Sequence, residues 1–377
     1  MPGDRRGRDG RSPVVEVFLV FLKLGLTAFG GPAAHVAMME AELVRRRAWL
    51  TADELLDLVA VTQLLPGPNS TELALMLGKR RAGLPGLLAA GVAFVVPAAV
   101  ITAGLAWAYQ QWGARPWALA PLHGLEAAVV AIIGDALWRL GRTALRGRRA
   151  WALGVLCVVL AFAGVSEVAI LLGAGAIELV ARRAERSPAG LFLLAPIGTQ
   201  TLFLSATPTS LFAVFFKIGG VLFGSGYVLV AFLRSEVVAR GWITESALLD
   251  AVAAGQITPG PVFSTATFVG WLVAGAPGAA AATIGIFLPA FVLSAVSDGL
   301  VVKLLRREAF RAVLDGVRVA SLAVMAVAVL DLARAGASSP TGAVIALCGL
   351  VALGRFAVHP TWVVAAGVAV GLVAGAR

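Results

Sequence analysis

Apolar runs follow one another along almost the whole chain, and each is either closed by basic residues or broken by glycine and proline. The first run, residues 14–29, is interrupted by Gly30-Gly31-Pro32, resumes through His35 and Met39, and stops at Arg45-Arg46-Arg47. Neither arm comfortably crosses ~30 Å of hydrocarbon at ~1.5 Å per residue, so the pattern predicts a re-entrant helical hairpin or a sharply broken helix pair. Thr51 reads as the N-cap of the next helix, which runs to Pro66-Gly67-Pro68. A short arm follows from Asn69 and is closed by Lys79-Arg80-Arg81.

Residues 84–109 are then long enough to cross, 117–140 return to a basic stretch at 142–149, and 151–164 with 167–181 give another pair that ends at the basic residues of 182–186. Residues 191–206 form a short apolar run. Two further interrupted segments, 211–240 and 244–274, are followed by 278–302, 313–332, 341–353 and 361–374. Counting each interrupted hairpin as one gives about 13 membrane segments in an all-α polytopic membrane protein.

The chain repeats itself. Between residues 49–68 and 242–261, eleven of twenty positions are identical, including Trp49/Trp242, Thr51/Thr244, Asp57/Asp250, Gln63/Gln256 and the whole Pro-Gly-Pro triplet. Upstream, Phe21, Lys23, Gly25, Phe29 and Gly30 return as Phe215, Lys217, Gly219, Phe223 and Gly224. Identity at a fixed offset marks an internal duplication. The units are a first repeat over 14–183 and a second over 209–377. Residues 1–13 form a basic cytoplasmic N-terminus and 184–208 a linker with a crossing segment.

Charge fixes the orientation expected of these repeats. Basic clusters gather in cytoplasmic loops. If residues 191–206 cross, the second repeat is inverted relative to the first, and Lys303, Arg306, Arg307 and Arg311 fall on the cytoplasmic side. If they do not cross, that cluster lies outside, so the inverted arrangement is the one that charge favours.

Composition agrees with a membrane protein: 59% of residues are hydrophobic, 14% are charged, and the mean hydropathy is +0.89. A net charge of +10 would suggest nucleic acid in a soluble chain, but here the arginines cap apolar runs, and nucleic-acid binding is not expected. The basic N-terminus followed by an apolar run imitates a secretory signal, yet the same run recurs at Phe215 and therefore belongs to the mature fold. Cys157 and Cys348 lie in apolar sequence and read as packing residues. No His-Glu-x-x-His, Gly-x-Ser-x-Gly or phosphate-loop motif is present, so neither an intramembrane hydrolase nor an ATP-driven pump is indicated, and no cofactor or metal is implied.

Broken helices inside a bilayer persist only where protein or a water-filled cavity surrounds the freed backbone. Two breaks in corresponding positions of duplicated halves point to a transporter site near the midplane. The arm starting at Asn69-Ser70-Thr71 and its counterpart at Phe263-Ser264-Thr265 would direct two half-helix N-termini, with free N–H groups and positive dipole ends, at an anion. Lys23 and Lys217 would supply fixed positive charge, and Gln63 and Gln256 further donors or caps. Glu42, Glu236, Glu72 and His35 are the candidates for proton coupling. Glu42 and Glu236 also read as ion-pair partners of neighbouring arginines, Asp57 and Asp250 as solvated residues near an end, and His35 as a hydrogen-bonded structural residue. An anion channel or a membrane scaffold is the competing class.

The motifs at Phe29-Gly30-Gly31-Pro32 with His35, at Gln63 to Pro68, and at Trp242-Ile243-Thr244 through Gln256 to Pro261 resemble the chromate ion transporter family in its long two-domain form. The likeness extends to about Phe291. It implies a proton-motive-force-linked exporter of chromate, a tetrahedral dianion similar to sulfate, in a bacterial-type cytoplasmic membrane, giving chromate resistance. Sulfate or another oxyanion is the near alternative. Carried over residue by residue, the functional positions are Lys23, Gly30, Gly31, Pro32, Gln63, Pro66, Gly67 and Pro68, with Lys217, Gly224, Gln256, Pro259, Gly260 and Pro261. Ser225 stands where the family often has glycine and adds a hydroxyl to the expected substrate-binding set, with Asn69, Ser70 and Ser264. The expected partners are the oxyanion, the lipid bilayer and the proton gradient, and a homodimer is allowed.

Overall fold

The computed structural model describes residues 12–28, 31–63, 65–113, 115–184, 205–223, 228–297, 307–336, 339–356 and 358–375. Among them every regular element is a helix. Helix α1 (Pro13–Thr27) starts at Ser12, whose Oγ accepts the amide of Val15 at 3.4 Å, with proline in the first turn where its missing N–H costs nothing. Helix α2 (Gly31–Met39) widens into a π-helical turn, Glu40–Arg46. Helix α3 (Ala52–Thr62) opens with a reciprocal capping box: Thr51 accepts the Glu54 amide at 3.2 Å, and Glu54 accepts the Thr51 amide at 2.8 Å. Gln63 caps its end, three residues before Pro66.

Helix α4 (Asn69–Trp112) is two arms joined by a sharp break at Ala82 (φ −141°, ψ 26°) and Gly83 (φ 65°, ψ −155°), directly after Lys79-Arg80-Arg81. Only glycine takes the second conformation without strain. Helices α5 (Pro116–Ala144), α6 (Gly147–Phe162), α7 (Glu167–Ala184) and α8 (Pro208–Val221) follow. Helix α9 (Leu229–Leu233) again widens into a π-helical turn, Arg234–Val238. Helix α10 (Glu245–Ile257) precedes a short 3₁₀ turn, Val262–Ser264. Helix α11 (Thr265–Val296) breaks at Ala274 (φ −144°, ψ 27°) and Gly275 (φ 62°, ψ −152°). The two breaks in α4 and α11 thus agree within a few degrees, 192 residues apart. Helices α12 (Glu308–Gly336), α13 (Pro340–Phe356) and α14 (Pro360–Gly375) complete the described chain.

Among the described residues, four stretches are long and apolar enough to cross a membrane: Asn69–Trp112, Pro121–Ala144, Val262–Val296 and Glu308–Arg334. Three shorter apolar helices, Pro208–Val221, Pro340–Phe356 and Pro360–Ala374, accompany them. The expected crossing at 191–206 lies outside the described residues except for its last two positions. Along the second arm of α4, Leu84, Leu88, Val92, Val96 and Val100 form a fully apolar exposed row at four-residue spacing. Such a ridge suits lipid and would be an aggregation hazard in water. Cys157 is buried as expected, but Cys348 is exposed. It shares the outward face of α13 with Val344 and Val351, because in lipid an apolar position need not be an interior one.

The chain forms two compact units, each assembled from separate stretches. The first contains α1 to α4, α8, the end of α10 and α11. The second contains α5 to α7, α9, the start of α10 and α12 to α14. In the first, Phe21 and Leu24 of α1 pack with Met39, Leu43, Leu73, Leu77 and Phe94. The approach is close because Gly25 has no side chain: a Cβ there would lie 2.8 Å from the Ala93 carbonyl oxygen.

In the second unit, α5 packs chiefly on α14 and α12 on α7. Gly124 and Gly367 meet backbone to backbone in the first pair, and Gly316 meets Ala174 and Gly175 in the second. Small residues permit such contact where lipid supplies no hydrophobic drive between helices. Gly367→Ala should therefore lower the thermal unfolding midpoint in detergent by a few degrees, at a cost of ~1–3 kcal/mol. Gly104→Ala, where nothing lies within 4 Å, should leave it unchanged. Equal midpoints for the two variants would refute the backbone contact.

Candidate functional site

Both Pro-Gly-Pro breaks belong to the first unit. At the first, Gly67 takes φ 131°, and the freed Pro68 carbonyl accepts the amides of Thr71 at 2.7 Å and Glu72 at 3.0 Å. Two amides of the first turn of α4 are thereby satisfied, as a helix start requires. The Glu72 carboxyl folds back on the break, and a Cβ on Gly67 would lie 2.8 Å from Glu72 Oε1 and 3.5 Å from the Ala290 methyl of α11. At the second, Gly260 takes φ 93°, and a Cβ there would lie 2.8 Å from the Ala98 methyl of α4. The relation is reciprocal. Each glycine faces an alanine of the other half, and both alanines directly follow a proline inside their helix, Pro97 and Pro289.

A third break joins this arrangement. Ala28 ends α1, and its carbonyl accepts the Gly260 amide at 2.8 Å and is 3.1 Å from His35 Nε2. The His35 ring stands edge-on to Phe94, 5.5 Å between centroids. His35 is thus fully buried and hydrogen-bonded at the break, as its structural reading anticipated.

Around the two Pro-Gly-Pro breaks lie buried polar atoms with no hydrogen-bond partner among the described residues. They are Asn69 Oδ1, Thr71 Oγ and both Glu72 carboxyl oxygens on the first side, and Gln256 Nε2 and Ser264 Oγ on the second. Thr102 and Ser294, one helical turn beyond Ala98 and Ala290, also carry unpartnered buried hydroxyls. Each such group costs about 1–3 kcal/mol when left unmatched, and natural interiors tolerate few without a functional reason. Hydroxyls, an amide and two helix N-termini offer donors suited to an oxyanion. Sequence reasoning placed Thr71 at the helix start without counting it in the substrate-binding set, and it missed Thr102 and Ser294. For the last two the signal was present: both are hydroxyls five residues after the equivalent prolines.

The charged candidates sit differently. Lys23 is half exposed and donates to Glu42 at 2.9 Å. Glu42, nearly buried, also binds Arg46 at 3.2 Å and Arg47 at 2.9 Å, while Glu16 joins Arg47 and Arg81. Glu236 pairs with Arg240 at 2.7 Å, and Lys217 is half-buried. Gln63 is exposed whereas Gln256 is buried, and Asp57 is exposed whereas Asp250 is buried, so identical residues in the two halves have unlike surroundings. Pro66 is half-buried, and Pro68, Ser70, Pro259 and Pro261 are buried at the breaks. Gly31 opens α2. Gly30, Gly224 and Ser225 lie outside the described residues.

Comparison with known proteins now decides the family. The profile of the family described as chromate transporter matches this chain twice, over residues 15–179 and 209–372. The chain belongs to that family. As a chromate transporter family member it is 33% identical to the chromate transport protein of Pseudomonas aeruginosa, over 85% of this chain and 81% of that protein. It is 33% identical to a probable chromate transport protein of Synechococcus elongatus, over 93% of both chains. It is 32% identical to the chromate transport protein of Cupriavidus metallidurans, over 95% of this chain and 92% of the relative. No solved structure matches. The family is one of transporters, not enzymes.

In this family member Glu42 draws three cations together, whereas Glu54 makes an exposed pair with Arg80. Glu42→Gln should lower the unfolding midpoint by several degrees, since a buried acceptor would be lost to three donors. Glu54→Gln should shift it by no more than a degree or two. A larger effect at Glu54 in the same thermal assay would contradict the assignment of Glu42 as the organising anion.

Proposed function

We propose that this chain is a secondary transporter that exports chromate across the cytoplasmic membrane, driven by the proton gradient, and so confers resistance to it. Sulfate or a related tetrahedral oxyanion is the near alternative. One observation carries the reading: the buried, unpartnered donors at the two Pro-Gly-Pro breaks, the Ser264 hydroxyl and Gln256 Nε2 on one side and the Thr71 hydroxyl on the other. They suit a desolvated anion of four oxygens, and their neighbours Thr102 and Ser294 extend the same set. Lys23 and Lys217 then act on the approach to the site, Lys23 through its contact with Glu42, rather than as buried counter-charges.

The two halves are proposed to be inverted repeats, each with two broken hairpins, beginning from a cytoplasmic N-terminus. Support comes from the second unit. Helices α5 and α12 occupy equivalent places in the duplicated sequence, yet Thr143 near the end of α5 and Glu308 at the start of α12 line the same recess. The glycine contacts are exchanged in the same sense, Gly124 with Gly367 and Gly316 with Gly175, each pair joining one half to the other. Arg182, at the end of α7, reaches Asp315 of α12 at 2.7 Å. This places three basic regions, near 146, 182 and 307, at one end, as cytoplasmic clustering requires.

Glu72 is assigned the coupling proton. Glu42 and Glu236 are held by cations and His35 by a carbonyl, whereas neither Glu72 oxygen has a protein partner. A carboxyl free of fixed pairing can exchange a proton as an oxyanion enters or leaves.

In inverted membrane vesicles, radiolabelled chromate should accumulate when a proton gradient is imposed, and sulfate should compete. Glu72→Gln should abolish gradient-driven accumulation while leaving chromate exchange at equal concentrations. Equilibration of the unmodified protein without gradient dependence would favour a passive anion channel. Thr102→Val and Ser294→Val should each weaken chromate about tenfold or more in the same assay, the loss of a hydrogen bond to a charged ligand. Their unfolding midpoints should stay level or rise, because an unmatched buried hydroxyl is removed. Unchanged transport in both would disprove their place in the site.

A further inference from the structure

The second unit holds a recess of about 470 Å³ that takes no part in the site described above. Its wall comprises the end of α5, the start of α6, the end of α7 and the start of α12, and includes Arg146, Arg149, Arg182 and Arg318. Three carboxylates, Glu178, Glu308 and Asp315, share it, so the lining carries a net positive charge. Two of the arginines are held in place: Arg182 binds Glu178 at 2.9 Å and Asp315 at 2.7 Å, and Arg318 lies 3.5 Å from Asp315. The floor is apolar, formed by Leu153 and Val319.

Two further features converge on this recess. Helix α6 begins at its edge: Gly147 is the first helical residue, and Arg146, at the capping position, makes no side-chain cap bond. The first amides of α6 therefore lack a side-chain cap, at the positive end of the helix dipole. Trp138 on α5, five residues before Thr143 of the lining, and Trp151 on α6, directly after Ala150 of the lining, are 67% and 58% exposed. Exposed tryptophans at helix ends mark the headgroup level of a bilayer. From Trp151 an exposed apolar row continues down α6 through Val155, Val159 and Phe162.

We propose that this recess binds the phosphate of an anionic phospholipid, with an acyl chain lying along the Trp151–Phe162 row. The polar end supplies guanidinium groups and helix amides for a phosphodiester, and the adjoining row supplies a surface that a soluble phosphate would not use. The volume also exceeds by several times what a single tetrahedral oxyanion fills, which argues against a second copy of the transported ion.

The test uses the full chain, purified and stripped of lipid in detergent. Phosphatidylglycerol should raise the unfolding midpoint and remain bound in native mass spectrometry, whereas phosphatidylcholine and inorganic phosphate should do neither. The double variant Arg146→Ala/Arg149→Ala should bind phosphatidylglycerol at least about tenfold more weakly. Ala150→Met, which fills the recess without altering charge, should also reduce binding while its elution on size exclusion stays normal. Arg355→Ala, an exposed arginine outside the recess, is the control. Stabilisation by inorganic phosphate alone would reassign the site to a free anion. Retention of phosphatidylglycerol by both recess variants, or equal binding of phosphatidylcholine, would overturn the proposal.

Discussion

A backbone interrupted inside a bilayer must find partners for its freed amides and carbonyls within the protein, because lipid offers none. Much of the first unit follows from that requirement. The amide released at the second Pro-Gly-Pro break, on Gly260, is met by the carbonyl released at the end of α1, on Ala28. One interruption thus satisfies another, and His35 shares the same acceptor. The chain can bring these points together only because the residues between them are small: Gly25 against the carbonyls of α4, Gly67 against Ala290, Gly260 against Ala98. Among the described residues, several buried side-chain atoms around the two half-helix starts, those of Asn69, Thr71, Glu72, Gln256 and Ser264, are left without a partner.

Charge is organised in two ways that match two tasks. Glu16, Glu42 and Glu236 are each tied to arginine or lysine, and they fix the basic ends of α1, the π-helical turns and the first arm of α4. Glu72 stands apart, buried and unpaired beside a helix start. The same residue type is therefore fastened where cations are close and left unpaired where they are not.

The doubled family motif, the helix breaks and most helix limits were legible because glycine, proline and basic residues punctuate the chain wherever a helix must turn. Thr51 and Glu54 announced the start of α3, and Lys79-Arg80-Arg81 announced the break at Ala82 and Gly83. Partner choice was not legible. Lys23 was expected beside the anion site and instead meets Glu42, a contact that depends on the π-helical widening at Glu40–Arg46, for which the sequence carries no plain signal. Asp57 and Asp250 are identical in sequence, yet one is exposed and the other buried, since exposure is decided by neighbours distant in the chain. Helices that face lipid also lack the polar stripe that tells inside from outside in a soluble protein, which is why Cys348 was misplaced.

The crossed pairing of α5 with α14 has a consequence for biosynthesis. Gly124 and Gly367 are 243 residues apart, so at ~5–20 residues per second the ribosome needs on the order of ten to fifty seconds to supply the second after the first. For that interval the small-residue face of α5 waits in the bilayer without its final neighbour. A nascent chain halted in the second half would hold a fully inserted but half-assembled unit, an obvious substrate for membrane quality control. Completion of the last helix, rather than insertion of the first, is then the step that commits the molecule to its mature form.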